Sequence, residues 1–367
     1  MKIGICVRTW GEKGGIGVYT RSLVNNLLSI DNKNEYCLFF NSQEYMGKFN
    51  SYENVQEINI QSQNKVIWDQ LGVPYHAKKH GVDIIFHTKF TVPLFTRKKT
   101  AMVLHGSERL IYQKFHPKSD ILYFKTVYPR YLKKASLILA VAERGRQDII
   151  EKLGIDPEKI KTVHLAVDPL FKTIDDESFL KSIQEKYHLP QRFIVWVGHI
   201  YPGKNVGRLI KAFAEVRKKI NVNLVLAGSK RWKFEKDLAL LHELAIEEHV
   251  QILGHVPHED LIGIYNLAEL TAFPSYYESF PAIPLEANAC GCPVVTSRTG
   301  GTPESAGNAA VYVDPLDVND IAEAILRVLT DKNLRDSLIH KGFKNVKRFS
   351  WKKTARKTLE ALESVCL

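Results

Sequence analysis

No apolar run in this 367-residue chain approaches the roughly 20 residues that a membrane-spanning helix needs. The amino terminus, MKIGICVRTW, holds too short an apolar stretch for a secretory leader and reads as a first strand, so the expectation is a cytoplasmic protein. Cysteine is scarce. Of Cys6, Cys37, Cys290, Cys292 and Cys366, only 290 and 292 lie close together, with no second pair or nearby histidines to complete a zinc site. They read as reduced, mostly buried thiols. Asp-x-Asp is absent, which leaves a metal-held diphosphate without evident carboxylate ligands, and the expectation is no metal and no cofactor. The dinucleotide fingerprint GxGxxG is missing too. Gly14, Gly15 and Gly17 are followed by Tyr19 and Thr20 where a third glycine is needed, and no acidic residue ends YCLFFNS, which argues against an NAD-dependent oxidoreductase.

What is present fits a folded protein: 45% of residues are hydrophobic and 25% charged. The length exceeds what one core usually fills, so two domains of roughly 150 to 200 residues are expected. The net charge of +11 is uneven, with 25 Lys+Arg against 16 Asp+Glu in residues 1–168 and 26 against 24 in residues 169–367. Basic character peaks from Arg97 to Arg146, where LYFKTVYPRYLKK interleaves aromatics with cations. Such a stretch suits an anionic membrane surface, hence a peripheral position at its inner face, or a polyanionic substrate. A solvated helix face fits equally well. Nucleic acid is disfavoured, because those aromatics fall on a predicted helix and not on a stacking sheet.

Apolar runs of strand length alternate with helical periods almost throughout, the pattern of parallel sheets covered by helices on both faces. The first series runs KIGICV, IGVYTRSLVNNLL, YCLFF, VIWDQLGVPYHAKK, DIIFH, TAMVLH, LILAVA and RGRQDIIEKLG. The second begins at RFIVWVG and follows the polar stretch KTIDDESFLKSIQEKYHLPQ, so two βα domains are expected to join near residues 168–190. Ligands of such sheets bind beyond the carboxyl ends of the strands, and a cleft between the domains is the expected site.

The segment from Leu270 to Ser297 reads strand, loop, helix, turn, strand. Pro281 and Pro284 are tolerable only at a helix start and Gly291 suits its end. Glu278 then sits in the loop before the helix and Glu286 within its first turns, both facing a place where an anion is favoured. Carboxylates there suit paired hydroxyls, as ribose or a hexose presents them. On spacing alone the plainer reading prevails: Glu278 a dipole-favoured acid and Glu286 on a solvated face. Lys204, in VGHIYPGKNVGRLIKAF, is expected to open a helix, the end that disfavours a cation, and a bound anion would remove that conflict. A solvated lysine with Asn205 as cap is the ordinary alternative. Gly14, Gly15 and Gly17, between the first strand and helix, would let backbone approach a ligand. His105 ends the strand TAMVLH; a lone histidine is more often structural, but this one faces the expected cleft.

Taken together, these residues resemble the family-four retaining glycosyltransferases of GT-B fold. The resemblance runs through GGIGVYTRSL, AVAERGRQDII, VDPLF, VGHIYPGKN, LAGSKRW, GHVPHEDLIGIYNLAEL, FPSYYESFPAIPLEANACGCPVVTS and FSWKKTARKTL. The carboxylates Glu278 and Glu286, with seven residues between them, together with PGKN make it specific. It implies an α/β protein of two Rossmann-like doubly wound parallel-sheet domains facing a cleft: residues 1–170 for the acceptor, 171–349 for the nucleotide sugar, and a last helix, 350–367, crossing back. It implies that Glu286 binds the ribose, Glu278 the sugar hydroxyls and Lys204 the diphosphate. His105 would line the sugar beside the reacting carbon, with Ser279 and Phe280 in the donor loop and Gly15 and Gly17 closing over it. The implied catalytic set is His105, Lys204 and Glu278.

Four departures bear on phosphate contact. Pro281 stands where the family usually has glycine, His199 where it often has a second arginine, Gly106 where aspartate is frequent, and Leu165-Ala166 where asparagine-glycine is usual. His199 can replace arginine only when protonated. The implied reaction moves a hexose from a nucleoside diphosphate sugar, GDP- or UDP-linked with a leaning to mannose, to a hydroxyl of a glycan or lipid-linked acceptor. It proceeds with retention and without metal, by front-face attack. A non-catalytic sugar-nucleotide-binding protein of the same fold is the alternative, and a phosphorylase or epimerase a more remote one. Glu286→Ala and Lys204→Ala are expected to remove activity while leaving thermal unfolding nearly unchanged.

Overall fold

Runs rich in β-branched and aromatic residues supply thirteen strands among the described residues, which in the computed structural model are 1–12 and 14–366. Seven belong to a first unit, Met1–Leu165 with the stretch from Ser350 onward. They are β1 (Lys2–Cys6), β2 (Glu35–Phe40), β3 (Val55–Asn59), β4 (Ile84–His87), β5 (Lys99–Leu104), β6 (Leu137–Ala140) and β7 (Ile160–Thr162). All pair in parallel, in the order β3-β2-β1-β4-β5-β6-β7. The second unit, Ala166–Phe349, holds β8 (Phe193–Val197), β9 (Asn223–Ala227), β10 (Val250–Gly254), β11 (Leu270–Phe273), β12 (Val294–Ser297) and β13 (Ala310–Val313). These are also parallel, in the order β10-β9-β8-β11-β12-β13. Each sheet is thus doubly wound, with its order reversing beside its first strand, where loops leave to opposite faces and a ligand crevice forms.

Central strands such as β4 and β8 are buried at every residue, and so read as continuous apolar runs without alternation. Helices on both faces complete the cores. In the second unit Trp196 and Phe213 are wholly buried, each stabilising by about 2–3 kcal/mol. The edge strand β3, VQEIN, buries only Ile58, and β7 has three residues. Neither carries enough apolar signal to be seen in the sequence.

Two expectations are corrected. The polar stretch read as a join contains a helix of the second unit, Glu177–Tyr187, begun by Asp176, whose side chain accepts from the Ser178 and Phe179 amides, and ended at His188 with φ 49°. Its Ile183 fits over Gly263, where a Cβ would lie 2.7 Å from Ile183 Cγ1. The segment VIWDQLGVPYHAKK is not one regular helix: a helical turn Lys65–Ile67 gives way to a π-turn Trp68–Gly72 and then the helix Val73–Lys79.

The helix Trp351–Ser364, capped by Ser350, packs within the first unit. Trp351 meets Tyr19 edge-on with ring centroids 5.9 Å apart, and Thr354 Oγ1 donates to the His164 carbonyl at 2.8 Å. Cys6, Cys37, Cys290 and Cys292 are buried free thiols and Cys366 is partly exposed. Among the described residues no helix is long and apolar enough to cross a membrane.

Candidate active site

The loop leaving β11 carries Glu278 and is fixed by hydroxyls and glycines from neighbouring loops. Thr296 Oγ1 donates to Phe273 O at 2.8 Å and Ser297 Oγ to Ser275 O at 2.5 Å. The Tyr276 amide donates to Gly203 O at 3.1 Å and the Gly301 amide to Glu278 O at 2.8 Å. Gly300, at φ +57°, lies so close that a Cβ would stand 2.1 Å from Glu278 O. Gly300→Ala combines left-handed strain with that clash, so we expect at least 1 kcal/mol of destabilisation and about tenfold less activity. Melting temperature and initial rate check this, and wild-type values in both would show that the loop position is not needed.

Lys204 lies in a 3-10 turn, Pro202–Lys204, and does not itself open the helix, which starts at Val206. Asn205 takes φ 59° and does not cap: its amide Nδ2 donates to Pro274 O at 2.9 Å and Pro315 O at 2.7 Å, tying this turn to two other loops. Lys204 Nζ donates to Glu278 Oε1 at 2.6 Å, with side chains 15% and 14% exposed, and lies 5.1 Å from the Phe273 ring centre. Part of the negative charge that a cation before a helix calls for is therefore supplied by the protein's own Glu278.

His199 follows β8. Burial first, then the positive charges of Arg231 and Lys204, hold its pKa below the ordinary histidine value, so it is neutral at pH 7. The backbone accounts for the Arg231 contribution. Ile200 bridges Lys230 in parallel, the Ile200 amide bonding Ser229 O and the Arg231 amide bonding Ile200 O, both at 3.0 Å, which extends the β8–β9 register past the sheet. Residues 199 and 231 fall on one face of that extension. The carboxyl ends of β8 and β9 thus bring Lys204 and Arg231 toward one imidazole.

Glu286 lies on the helix Ile283–Ala289, two turns long, so the dipole expected of that element is small. The carboxylate is not on a solvated face; it is 9% exposed, and Tyr265 OH donates to its Oε2 at 3.0 Å. Burial above all raises its pKa, reinforced by Asp168 and opposed by His258 and the Tyr265 hydrogen bond. Lys204 and Glu278 are therefore in direct contact, whereas Glu286 has its own surroundings of Tyr265, His258 and Asp168. Ser279 is buried, and the Phe280 ring packs edge-on against Phe349 at 5.5 Å, so Phe280 anchors the loop through its side chain.

In the first unit His105 is partly buried, and its pKa is pushed down to about 4 mainly by desolvation of the ring. Nε2 lies 2.8 Å from Thr88 O, which can only accept, so the neutral ring carries its proton on Nε2 and leaves Nδ1 as an acceptor. Tyr19 packs edge-on at 4.8 Å. Gly15 and Gly17 belong to the first turn of the helix Gly15–Ile30 and not to a loop before it. A Cβ on Gly17 would meet Glu12 O at 1.8 Å, which accounts for that glycine within the chain itself, while nothing lies within 4 Å of a Cβ on Gly15.

Residues 13–170 match the family described as Glycosyltransferase Family 4, and residues 181–345 that described as Glycosyl transferases group 1. This chain is a family-4 glycosyltransferase. The glycosyltransferase is 27% identical to an Escherichia coli O-antigen chain mannosyltransferase B over 95% of both chains. It is 30% identical to the E. coli serotype-specific mannosyltransferase WbdA over 62% of its own length but only 29% of that protein's. Among solved structures it resembles sucrose-phosphate synthase from Thermosynechococcus elongatus, with a TM-score of 0.77, 18% identity, and 100% and 99% of the chains covered. It also resembles Anabaena Alr3699/HepE in complex with UDP and glucose, with a TM-score of 0.75, 19% identity, and 99% and 100% covered. These likenesses give the GT-B fold.

Sequence reasoning on this glycosyltransferase missed Arg231 and Tyr265. Arg231 stands in LAGSKRW, beyond the end of β9, and comes near His199 only through the Ile200–Lys230 bridge. Tyr265 earns its place only through the helix His258–Leu267.

Proposed function

We propose that this glycosyltransferase moves a hexose from a nucleoside diphosphate sugar to a hydroxyl of a glycan or lipid-linked acceptor, with retention and without a metal ion. The observation that carries the reading is the 2.6 Å pair of Lys204 with Glu278, joining the loops beyond β8 and β11, with Arg231 brought to the same face as His199 by the Ile200–Lys230 bridge. A leaving diphosphate gains charge as the glycosidic bond breaks, and cations fixed beforehand stabilise that change without reorganising. The twelve-residue helix Val206–Arg217 adds its amino-terminal dipole. Glu278 is ion-paired, which suits it to accept sugar hydroxyls and not to attack carbon. The acceptor oxygen then bonds the anomeric carbon on the face the diphosphate leaves, the bonding pair departs with the phosphate oxygen, and that oxygen takes the acceptor proton. Glu286 is assigned to the ribose hydroxyls. For His105 and Gly15 a role toward the donor rests on the family resemblance, supported at His105 by the acceptor at Nδ1.

The named relatives favour mannose and a polysaccharide product, and the Anabaena structure with UDP and glucose supports a sugar nucleotide donor. A thermal-shift panel of GDP- and UDP-hexoses, followed by nucleotide release and NMR of the product anomer, tests this. Donor-dependent release with an inverted anomer, or no release with any donor, overturns it.

Proton linkage at His199 gives a further check. Its pKa is depressed in the free protein, and a bound diphosphate opposes that depression, so nucleoside diphosphate affinity should rise as pH falls through the bound and then the free value. Titration calorimetry from pH 8 to pH 6 reads this, and the dependence should vanish in His199→Asn. An unchanged slope in the variant removes His199 from the phosphate.

A further inference from the structure

The positive charge of this chain collects on helices to which the donor chemistry assigns nothing. Between residues 65 and 134 stand 14 Lys and Arg against 4 Asp and Glu, so this stretch carries +10 of the net +11. All four acids are engaged within the first unit: Asp69 pairs with Arg8, Asp83 accepts from the Lys2 amide, and Glu108 and Asp120 both meet Arg109. The outer cations are left uncompensated. Among the described residues Lys118, Lys125, Arg130 and Lys133, all exposed, pair with no carboxylate.

Topology puts the helices concerned on one face of the sheet. In the order β3-β2-β1-β4-β5-β6-β7 the crossovers from β3 to β4 and from β5 to β6 both run toward β7, and right-handed connections of one direction cover the same face. Side chains join them into a single layer. Gln70, in the π-turn, donates through Nε2 to Val92 O at 3.0 Å and accepts from the Leu94 amide at 2.8 Å. Lys134 Nζ donates to Thr96 O at 2.7 Å, and the Phe90 ring packs against Phe124 and Tyr128. Phe95 is therefore held between the two sets of helices, and it is 90% exposed.

The aromatics that point to a membrane in LYFKTVYPRYLKK are turned inward: Phe124, Tyr128 and Tyr131 are buried. Other side chains form the outward face. On the helix Lys118–Thr126, Lys118, Leu122 and Lys125 fall at i, i+4 and i+7, and all three are exposed. Ile67 and Leu71 are exposed in the same way, while Trp68 and Asp69 beside them are buried. Apolar side chains thus stand singly among cations. A polyanion has no use for the apolar members, and a second copy of this chain would set like charge against like. A bilayer with anionic headgroups takes both, cations at the headgroups and apolar tips at the acyl boundary.

We infer that this outer face of the first unit, built on the helices Lys118–Thr126 and Tyr128–Lys134 with Phe95, Ile67 and Leu71, docks on an anionic lipid bilayer. The inference is independent of the donor reading, and its test needs no donor. Sedimentation of the full chain with phosphatidylglycerol vesicles should far exceed that with phosphatidylcholine vesicles. It should be lost between about 0.1 M and about 1 M salt, as the Debye length shrinks from about 10 Å to about 3 Å. Lys118→Glu combined with Lys125→Glu should weaken the apparent affinity by at least about tenfold. Phe95→Ser and Leu122→Ser, at exposed positions, should weaken it severalfold with the melting temperature unchanged. Leu316→Ser, at an exposed position of the second unit, should bind as wild type does. Nucleotide release from the donor without vesicles should be the same in all these variants. Equal sedimentation with both lipids, or apolar variants indistinguishable from Leu316→Ser, overturns the inference. Retention on heparin that is lost in the double charge variant but kept in Phe95→Ser, with no vesicle binding, overturns it in favour of a polyanionic ligand. If no donor is ever consumed yet vesicle binding depends on Phe95 and the two lysines, the transferase reading fails and the membrane face stands.

Discussion

Lys204→Ala is expected to lower transfer by about 10²–10³, and to lower the melting temperature as well. The first effect follows from the ammonium's place among the groups that would meet the departing diphosphate. The second is a change from what the sequence alone suggests, and it follows from the 2.6 Å pair with Glu278, in which both side chains are largely buried. Removing one partner leaves the other charge poorly solvated, at about 1–3 kcal/mol, or several degrees in a unit of this size. The two losses separate by a second substitution. Lys204→Met combined with Glu278→Gln removes both charges and should restore most of the melting temperature while activity stays lost. If the double variant recovers activity, or if Lys204→Ala keeps more than a third of the wild-type rate, Lys204 is not the diphosphate residue.

That correction marks where sequence reading stops. Alternation of apolar runs suffices for two doubly wound sheets, because buried parallel strands leave an unmistakable signature and helices between them repeat every three to four residues. It fails for β3 and β7, which are short and half exposed, and for the helix Glu177–Tyr187, whose polar residues outnumber the single buried Ile183. The motif spacing located Glu278, Glu286 and Lys204. It could not say what they touch, since hydrogen-bond partners 74 residues apart, such as Lys204 and Glu278, depend on how loops from different strands meet. Arg231 illustrates the same limit: its nearness to His199 comes from a backbone bridge between Ile200 and Lys230 that no local pattern encodes. Gly300 was passed over for the same reason, its conformation being fixed by a carbonyl of the distant Glu278 loop.

Glu286→Gln is expected to weaken donor binding by about 10- to 100-fold, the loss of charge-assisted bonds to a pair of hydroxyls, while raising the melting temperature at neutral pH. The direction of the stability change comes from the carboxyl's raised pKa, for which burial is the main cause. The folded state keeps this proton to higher pH than the unfolded chain. Stability from this group is therefore present below the unfolded carboxyl value and is lost as pH rises through the folded one, above which a charge sits buried with a Tyr265 hydrogen bond. Glutamine still accepts from Tyr265 but does not titrate, so the advantage of the variant should be absent at low pH and appear on the alkaline side. The catalytic profile runs the opposite way, because the ionised form is the better acceptor for ribose hydroxyls: kcat/KM for the donor should fall as pH drops below the Glu286 value. Tyr265→Phe removes one group that favours ionisation and should move that limb upward; Glu286→Gln should abolish it. A donor KM unchanged in Glu286→Gln, or an acid limb in the same place in all three proteins, would separate Glu286 from the nucleotide and leave its burial a matter of packing alone.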